Sequence, residues 1–426
     1  MIKIIEELNE NDWPSILARP ELNTQVLSST VSKILQEVKQ YGDKAVVKFT
    51  TQFDEVLLQN NKVTQAEIDD AVNAVSIDLK NAINIAIENI TSFHLVQQVQ
   101  EPMVTTMPGV QCWRKSIAIE SVGLYIPGGT ASLFSTLLML AIPATIAACK
   151  NIIVCTPPDK KGNIHPAILY IAKVLALKNV YKIGGVQAIA AMAYGTDTIK
   201  KVNKIFGPGN QYVTCAKQLV NQQGIAIDMP AGPSELAIYA DDTCVPAYVA
   251  ADILSQAEHG IDSQIFLVVT NNAIATAVNN EVSKQLQNMV RKQIATKALE
   301  NSKCIIITNT QHAFSIINEY APEHLIIASS NASLLQQLVI NAGSVFLGNN
   351  TPESAGDYAS GTNHTLPTNG NAKAYSGVSL DSFYKKITFQ QITKAGISLL
   401  ANTIITMANA EGLAAHAHAV KIRIDN

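Results

Sequence analysis

Val122-Gly123-Leu124-Tyr125-Ile126-Pro127-Gly128-Gly129 is the stretch on which the fold turns. Residues 122–126 form a short apolar run, β-branched at both ends, and read as a buried strand. Pro127-Gly128-Gly129 then breaks the strand and turns the chain into an apolar helix around 131–149. Further strand-like runs follow at 151–155, 179–183, 203–206 and 225–228, with helical stretches between them. A second alternating series has strands near 236–240, 264–269, 303–307, 325–328 and 343–347. Alternation of this kind predicts parallel sheets covered by helices, because parallel neighbours need a crossover connection. Two series predict two doubly wound domains facing each other across a cleft. The chain shows no fixed-period repeat that would mark a solenoid.

Outward from this centre the pattern changes on both sides. Residues 1 to about 100 read as helical: Val26, Leu27, Val31, Ile34, Leu35 and Val38 recur at helical spacing, and Gly42 is a natural stop. Thr64 and Glu67 have the spacing of a capping box ahead of an amphipathic run carrying Ile68, Val72, Val75, Ile83 and Ile90. His94, near a helix end, reads as structural. After Gly348, residues 349–376 are rich in Asn, Thr, Gly and Ser, with Asp357 and His364 embedded. A loop of that length, dense in specific polar residues, is expected to be functional. From about Gln390 onward, Ile392, Ile397, Leu400, Ile404 and Met407 indicate a small helical C-terminal unit.

Composition narrows the function. Of 426 residues, 47% are hydrophobic and 15% charged, enough for sizeable cores. The net charge of −3 gives no reason to expect nucleic acid or an anionic membrane as a partner. The N-terminus lacks the apolar core and cleavage site of a signal peptide. The longest apolar stretch, 132–149, contains Pro143 and sits inside a βα pattern, so a buried helix is expected rather than a membrane span. Six scattered cysteines (112, 149, 155, 215, 244 and 304), with no Cys-x-x-Cys pair, suit a reducing cytoplasm and read as inert core thiols.

Several polar clusters could carry chemistry. Tyr320-Ala321-Pro322-Glu323-His324-Leu325 sets a carboxylate beside an imidazole at the start of a buried strand. Desolvating either group without partners would cost several kcal/mol, on the order expected for a buried charge, so both should face a cleft. Such a pair can handle two different protons, as general acid–base chemistry requires, although a strand-edge histidine with a solvated glutamate has the same sequence. The turns Gly123–Gly129, Gly184-Gly185-Val186-Gln187 and Gly207-Pro208-Gly209-Asn210 close successive strands, where open α/β sheets bind ligands. Backbone N–H groups there could approach a pyrophosphate, yet none is the Gly-x-Gly-x-x-Gly fingerprint. Asp228-Met229-Pro230-Ala231-Gly232-Pro233-Ser234-Glu235 joins the two series and should place Ser234 at the domain junction. Gln256 and His259 share a helix face and could ligate a divalent metal together with a carboxylate from elsewhere. His259 could equally serve the helix C-terminus. His416 and His418 lie near the end of the chain, with Glu411 upstream.

Taken together, these stretches resemble the histidinol dehydrogenase family over about 122–420. The matching segments are GLYIPGG (123–129), GPGN (207–210), DMPAGPSE (228–235), LSQAEHG (254–260), APEHL (321–325), GSVFLG (343–348), PESAGDYASGTNH (352–364) and the closing Glu411 and His416. The resemblance implies two doubly wound, incomplete Rossmann-like parallel-sheet domains with a helical N-terminal segment and a small helical C-terminal unit. The corresponding divisions are 1–100, 101–233, 234–380 and 381–426. It implies NAD and one zinc ion per subunit, used to oxidise L-histidinol to L-histidine through L-histidinaldehyde. Zinc would be held by Gln256, His259, Asp357 and His416, and NAD would be contacted by Tyr125, Gln187 and Asn210. Ser234, His324, Glu411 and the metal ligands would contact substrate, with Glu323 and His324 as the catalytic pair. It also implies a cytoplasmic homodimer in which the tail completes the partner's site. Three rivals are a related zinc- and NAD-dependent dehydrogenase of another small alcohol, a zinc hydrolase using Glu323 as base, and a non-catalytic metal-binding protein. Glu411 argues against an anionic substrate, the three glycine turns against the hydrolase, and the paired Glu323 and His324 against the non-catalytic protein.

Overall fold

The computed structural model describes residues 2–6, 12–19, 24–128, 132–230 and 232–425. Gly129 of the first turn, Ala131 at the expected helix start, Ala231 of the junction and the Val26 side chain lie outside the described residues. In chain order the strands are β1 (Lys3–Ile5), β2 (Val104–Met107), β3 (Val110–Ala118), β4 (Ser121–Tyr125), β5 (Asn151–Thr156), β6 (Asn179–Lys182) and β7 (Lys204–Phe206). They continue with β8 (Ala226–Ile227), β9 (Glu235–Ala240), β10 (Gln264–Val269), β11 (Lys303–Ile306), β12 (His324–Ala328), β13 (Ser344–Leu347) and β14 (Tyr384–Ile392). Both alternating series form parallel sheets as their pattern predicts. The first is ordered β6-β5-β4-β7-β8 and the second β1-β11-β10-β9-β12-β13.

The central strands β9, β10 and β12 are buried along their whole length, as continuous apolar runs between two helical layers should be. Each fully buried Ile, Leu or Val there, such as Ile238, Leu267 and Ile327, contributes roughly 1.5–3 kcal/mol. The long apolar stretch is the helix Phe134–Ile146, buried on nearly every side. Its Pro143 cannot bond the carbonyl of Met139, one turn earlier. The side chain of Asn363 donates to that carbonyl instead, at 2.6 Å. Thr136 and His364 meet at 3.1 Å beside it. The polar loop is thereby pinned onto the first sheet's helix, and it contains a helix of its own, Glu353–Tyr358.

Three expectations need correction. The N-terminal segment is not purely helical: β1 extends the second sheet, paired in parallel with β11. A third, antiparallel sheet, β14-β3-β2, escaped the reading of period, because β3 and β14 mix charged and apolar residues without clean alternation. Consequently Gln390 and Ile392 belong to a strand, and the terminal helix starts at Lys394. The helices Lys394–Ala410 and Ala414–Ile424 pack on each other and leave Leu399, Met407, Leu413 and Ile422 exposed. An apolar face of this kind on a projecting arm marks an interaction surface. No described helix is long and apolar enough to cross a membrane. All six cysteines are free, and burial pushes the Cys149 thiol up to about 11 and Cys304 to about 12, consistent with inert thiols.

The capping box at Thr64 is formed in full, with the hydroxyl accepting from the Glu67 N–H and the Glu67 carboxylate from the Thr64 N–H. Thr64→Ala should therefore destabilise the protein by about 1 kcal/mol. The measurement is chemical denaturation, with activity unaffected. An unchanged midpoint would show that this helix end contributes nothing to stability.

Candidate active site

Helix Thr310–Tyr320 ends on Ala321, which takes a left-handed conformation (φ 50°) with its N–H on the Ile317 carbonyl. Pro322 favours an extended residue before it, yet Ala321 stays left-handed because it closes the helix, and β12 begins at His324. A non-glycine residue in this region is strained, and here the strain redirects the chain so that Glu323 and His324 point into the junction between the sheets. Glu323 accepts from the backbone N–H of Glu235 at 3.0 Å, and the Ser234 hydroxyl also bonds it. Glu235 is itself clamped by Arg19, with Nε on Oε2 at 2.5 Å and a second guanidinium nitrogen on Oε1 at 3.0 Å. That second nitrogen also reaches the Tyr320 carbonyl at 2.6 Å, and the guanidinium lies 4.1 Å over the Tyr320 ring. The sequence reading missed Arg19 because its partner is distant in the chain.

His324 is 4% exposed, and its two ring nitrogens have no hydrogen-bond partner. Nδ1 lies 3.4 Å from Glu353 Oε1 and 3.7 Å from Glu323 Oε2, and Nε2 lies 3.8 Å from Asp357 Oδ1. Burial, with repulsion from His259 and His364, holds its pKa down at about 3, so the ring is neutral. Burial drives Glu323 well above the ordinary carboxylate range, reinforced by the charges of Glu235 and Asp357. Glu353 is raised for the same reason, and both of its carboxylate oxygens are buried without partners. Sequence reasoning passed over Glu353. The signal was its position four residues before Asp357, on the same face of one helical turn.

Gln256 ends the helix Pro246–Ala257, and His259 follows it at an exposed lip. Ligand atoms of His259, Glu353 and Asp357 lie within 4.8 Å of one another. The Gln256 amide is fully buried, with neither its oxygen nor its nitrogen partnered. An amide in that state is costly unless something else satisfies it. This donor set of imidazole, carboxylate and amide oxygen fits a divalent cation, which would also favour the ionised forms of the surrounding carboxylates.

On the other side of the junction, β4 and β7 are the neighbours at which the first sheet reverses its winding. The crevice at their carboxyl ends is where an open α/β sheet receives a ligand. Tyr125 ends β4, and its hydroxyl accepts from the Gly185 N–H at 3.0 Å. Gln187 is buried with both amide atoms unpartnered. Asn210 caps the helix Gln211–Gln222 through its side-chain oxygen, leaving its amide NH₂ for a ligand. A cavity of about 40 Å³ lined by Gly207, Gly209, Ser234, Glu323 and His364 joins this crevice to Glu323. The second sheet contributes the amino ends of β9 and β12, not the carboxyl ends from which such sheets ordinarily bind.

A family model described as histidinol dehydrogenase matches residues 17–424. The chain belongs to the histidinol dehydrogenase family. It is 55% identical over 425 residues to the histidinol dehydrogenase of Bacteroides thetaiotaomicron, covering 100% of this chain and 99% of that one. The chloroplastic enzyme of Arabidopsis thaliana is 48% identical, covering 99% and 90%. The crystal structure of histidinol dehydrogenase from Elizabethkingia anophelis superposes with a TM-score of 0.97 at 50% identity, covering 100% and 98%. Membership makes this chain an NAD-dependent oxidoreductase of histidine biosynthesis.

Of the residues that resemble the family's site, Ser234, Gln256, His259, Glu323, His324 and Asp357 gather at the junction, with Tyr125, Gln187 and Asn210 on the crevice. Glu411 and His416 do not join them within one chain: both are exposed on the C-terminal arm. His364 lines the cavity, whereas His418 is exposed on the arm.

His259→Asn should lower bound zinc and activity together while leaving the fold intact, since a residue at the lip contributes little to the core. Elemental analysis of the purified variant checks this. Full metal occupancy in a folded, inactive protein would contradict ligation by His259.

Proposed function

We propose that this member of the histidinol dehydrogenase family oxidises L-histidinol to L-histidine through L-histidinaldehyde, using NAD and one zinc ion per subunit. The observation that carries the reading is the buried Glu323–His324 pair, set between a glycine-turn crevice and a cluster of unsatisfied metal-type donors. Gln256, His259 and Asp357 would hold the zinc, with His416 supplied by the partner subunit. Tyr125, Gln187 and Asn210 would contact NAD, and Ser234, His324 and Glu411 the substrate. When bound, NAD supplies the hydride acceptor for both oxidations, and zinc supplies an anchor for the substrate's imidazole and amine.

The residues divide the proton chemistry between them. His324, held neutral by burial, takes the hydroxyl proton of histidinol as the C–H bond yields its hydride. The aldehyde so formed must add water before a second hydride can leave. Glu323, anchored by Ser234 and the Glu235 N–H, activates that water, and His324 takes the hydroxyl proton of the hydrate. Glu353 Oε1, 3.4 Å from Nδ1, would orient the imidazole once the ring turns to bond it. The divisions proposed on this plan are 1–100, 101–233, 234–380 and 381–426, with β1 lent to the second sheet, β14 paired with β3 and the helices after it serving the partner. Cytoplasmic action agrees with six free cysteines.

Glu323→Gln should slow the second oxidation far more than the first, because only the aldehyde step consumes water. Loss of a positioned base typically costs about 10²–10⁴ in rate. Single-turnover oxidation of histidinol beside that of histidinaldehyde makes the comparison, and equal slowing of both steps would sink the division of labour.

The arm tests the shared site. Its apolar residues are exposed, and exchanging a terminal element is a low-cost route to a two-fold dimer. Co-expressing a Glu323→Gln chain with a His416→Asn chain should restore activity, because one site of each heterodimer then combines an intact body with an intact arm. Confirmed heterodimers that stay inactive would rule out the crossed arrangement.

A further inference from the structure

We propose that the buried ion pair Lys217–Asp228 is the positioning device for the cofactor-facing turn, and that it ties this turn to the segment carrying Ser234. The inference rests on the reading of the crevice as the NAD site. Lys217 lies on the helix Gln211–Gln222 and Asp228 just beyond β8. Their side chains are 4% and 1% exposed and contact each other directly.

Between them they hold one residue, Gly207, by both its N–H and its carbonyl. The Gly207 N–H donates to Asp228 Oδ2 at 2.8 Å, and Lys217 Nζ donates to the Gly207 carbonyl at 2.8 Å. The remaining oxygen, Asp228 Oδ1, accepts from the Met229 N–H at 2.8 Å. Gly207 needs this help. Its φ of 125° lies outside the range of ordinary residues, and a Cβ there would sit 2.1 Å from the Tyr125 carbonyl oxygen. The next residue, Pro208, offers no N–H. Charged hydrogen bonds therefore determine where the turn sits, and Asn210 follows three residues later.

A buried pair is a poor way to gain stability, since apolar residues of similar volume often do as well or better. What the pair adds is geometry, because charge-assisted hydrogen bonds are short and directional. Asp228 grips the turn with one oxygen and the start of the Asp228–Glu235 segment with the other. Gly207, Asp228 and Met229 line the same cavity as Ser234 and Glu323. The pair thus fixes the separation between the cofactor turn and the catalytic edge. The neighbouring cation, Lys204, is engaged elsewhere, donating to the Ser382 carbonyl at 2.9 Å.

Lys217→Met/Asp228→Leu replaces the pair with apolar side chains of similar bulk. Asp228→Asn is the milder variant, with one acceptor oxygen for two backbone N–H groups. The readouts are the Kd for NADH by fluorescence titration, histidinol binding by calorimetry, zinc content and thermal melting, with Asn210→Ala as the control on the crevice. The expected result is folded protein with parental zinc content, a Kd for NADH raised tenfold or more against a smaller change in histidinol affinity, and a raised KM for NAD. If the double variant does not fold, Asp228→Asn decides. A folded variant that binds NADH like the parent, while Asn210→Ala weakens it, overturns the positioning role alone. If Asn210→Ala and the pair variants all bind NADH like the parent, the cofactor reading falls and the inference with it.

Discussion

The Arg19–Glu235 ion pair is the interaction on which the edge carrying Glu323 and His324 depends. It fixes the first residue of β9, whose backbone N–H then holds the Glu323 carboxylate, and it reaches the Tyr320 carbonyl just before the strained Ala321. One guanidinium therefore sets the relative position of two strand ends and of the turn between helix and β12. Breaking a buried pair by removing one partner typically costs about 3–5 kcal/mol, because the other charge is left uncompensated. The larger consequence here would be loss of register at Glu323 and His324.

That register matters because the site is built from groups a protein core would normally reject. Glu323, His324, Glu353 and Gln256 are all buried, and most of their polar atoms have no partner within the chain. A native protein keeps few such atoms, and where several gather the arrangement is explained by what binds there. Stability is contributed elsewhere, by the apolar strands of two parallel sheets, and the junction between those sheets is left polar.

The junction is also asymmetric. The first sheet offers the carboxyl ends of its strands, where glycine turns receive a ligand. The second offers amino ends, where backbone N–H groups such as that of Glu235 are free to bond a carboxylate. The polar loop between β13 and β14 closes the gap, fastened through Asn363 to the carbonyl released by Pro143. A proline in one domain's helix and an asparagine more than two hundred residues away thus share one local requirement.

The sequence alone determined the strands of both parallel sheets except β1, the capping box at Thr64, the three glycine turns and the adjacency of Glu323 and His324. Each depends on residues close in the chain: hydrophobic period, a turn residue, a capping side chain. Even the likeness to a family was carried by short contiguous motifs. Tertiary structure decided the rest. It alone brings Arg19 to Glu235, Glu353 to His324 and Lys217 to Asp228, because these are pairings between different elements that no local pattern encodes. It also revealed the antiparallel sheet, since β3 and β14 alternate too poorly to announce themselves and are recognisable only by pairing with each other. The exposed arm is the clearest case. Its helices were legible from their period, but that they pack chiefly on each other, touching the rest of the chain at Gly109, is a property of the folded protein.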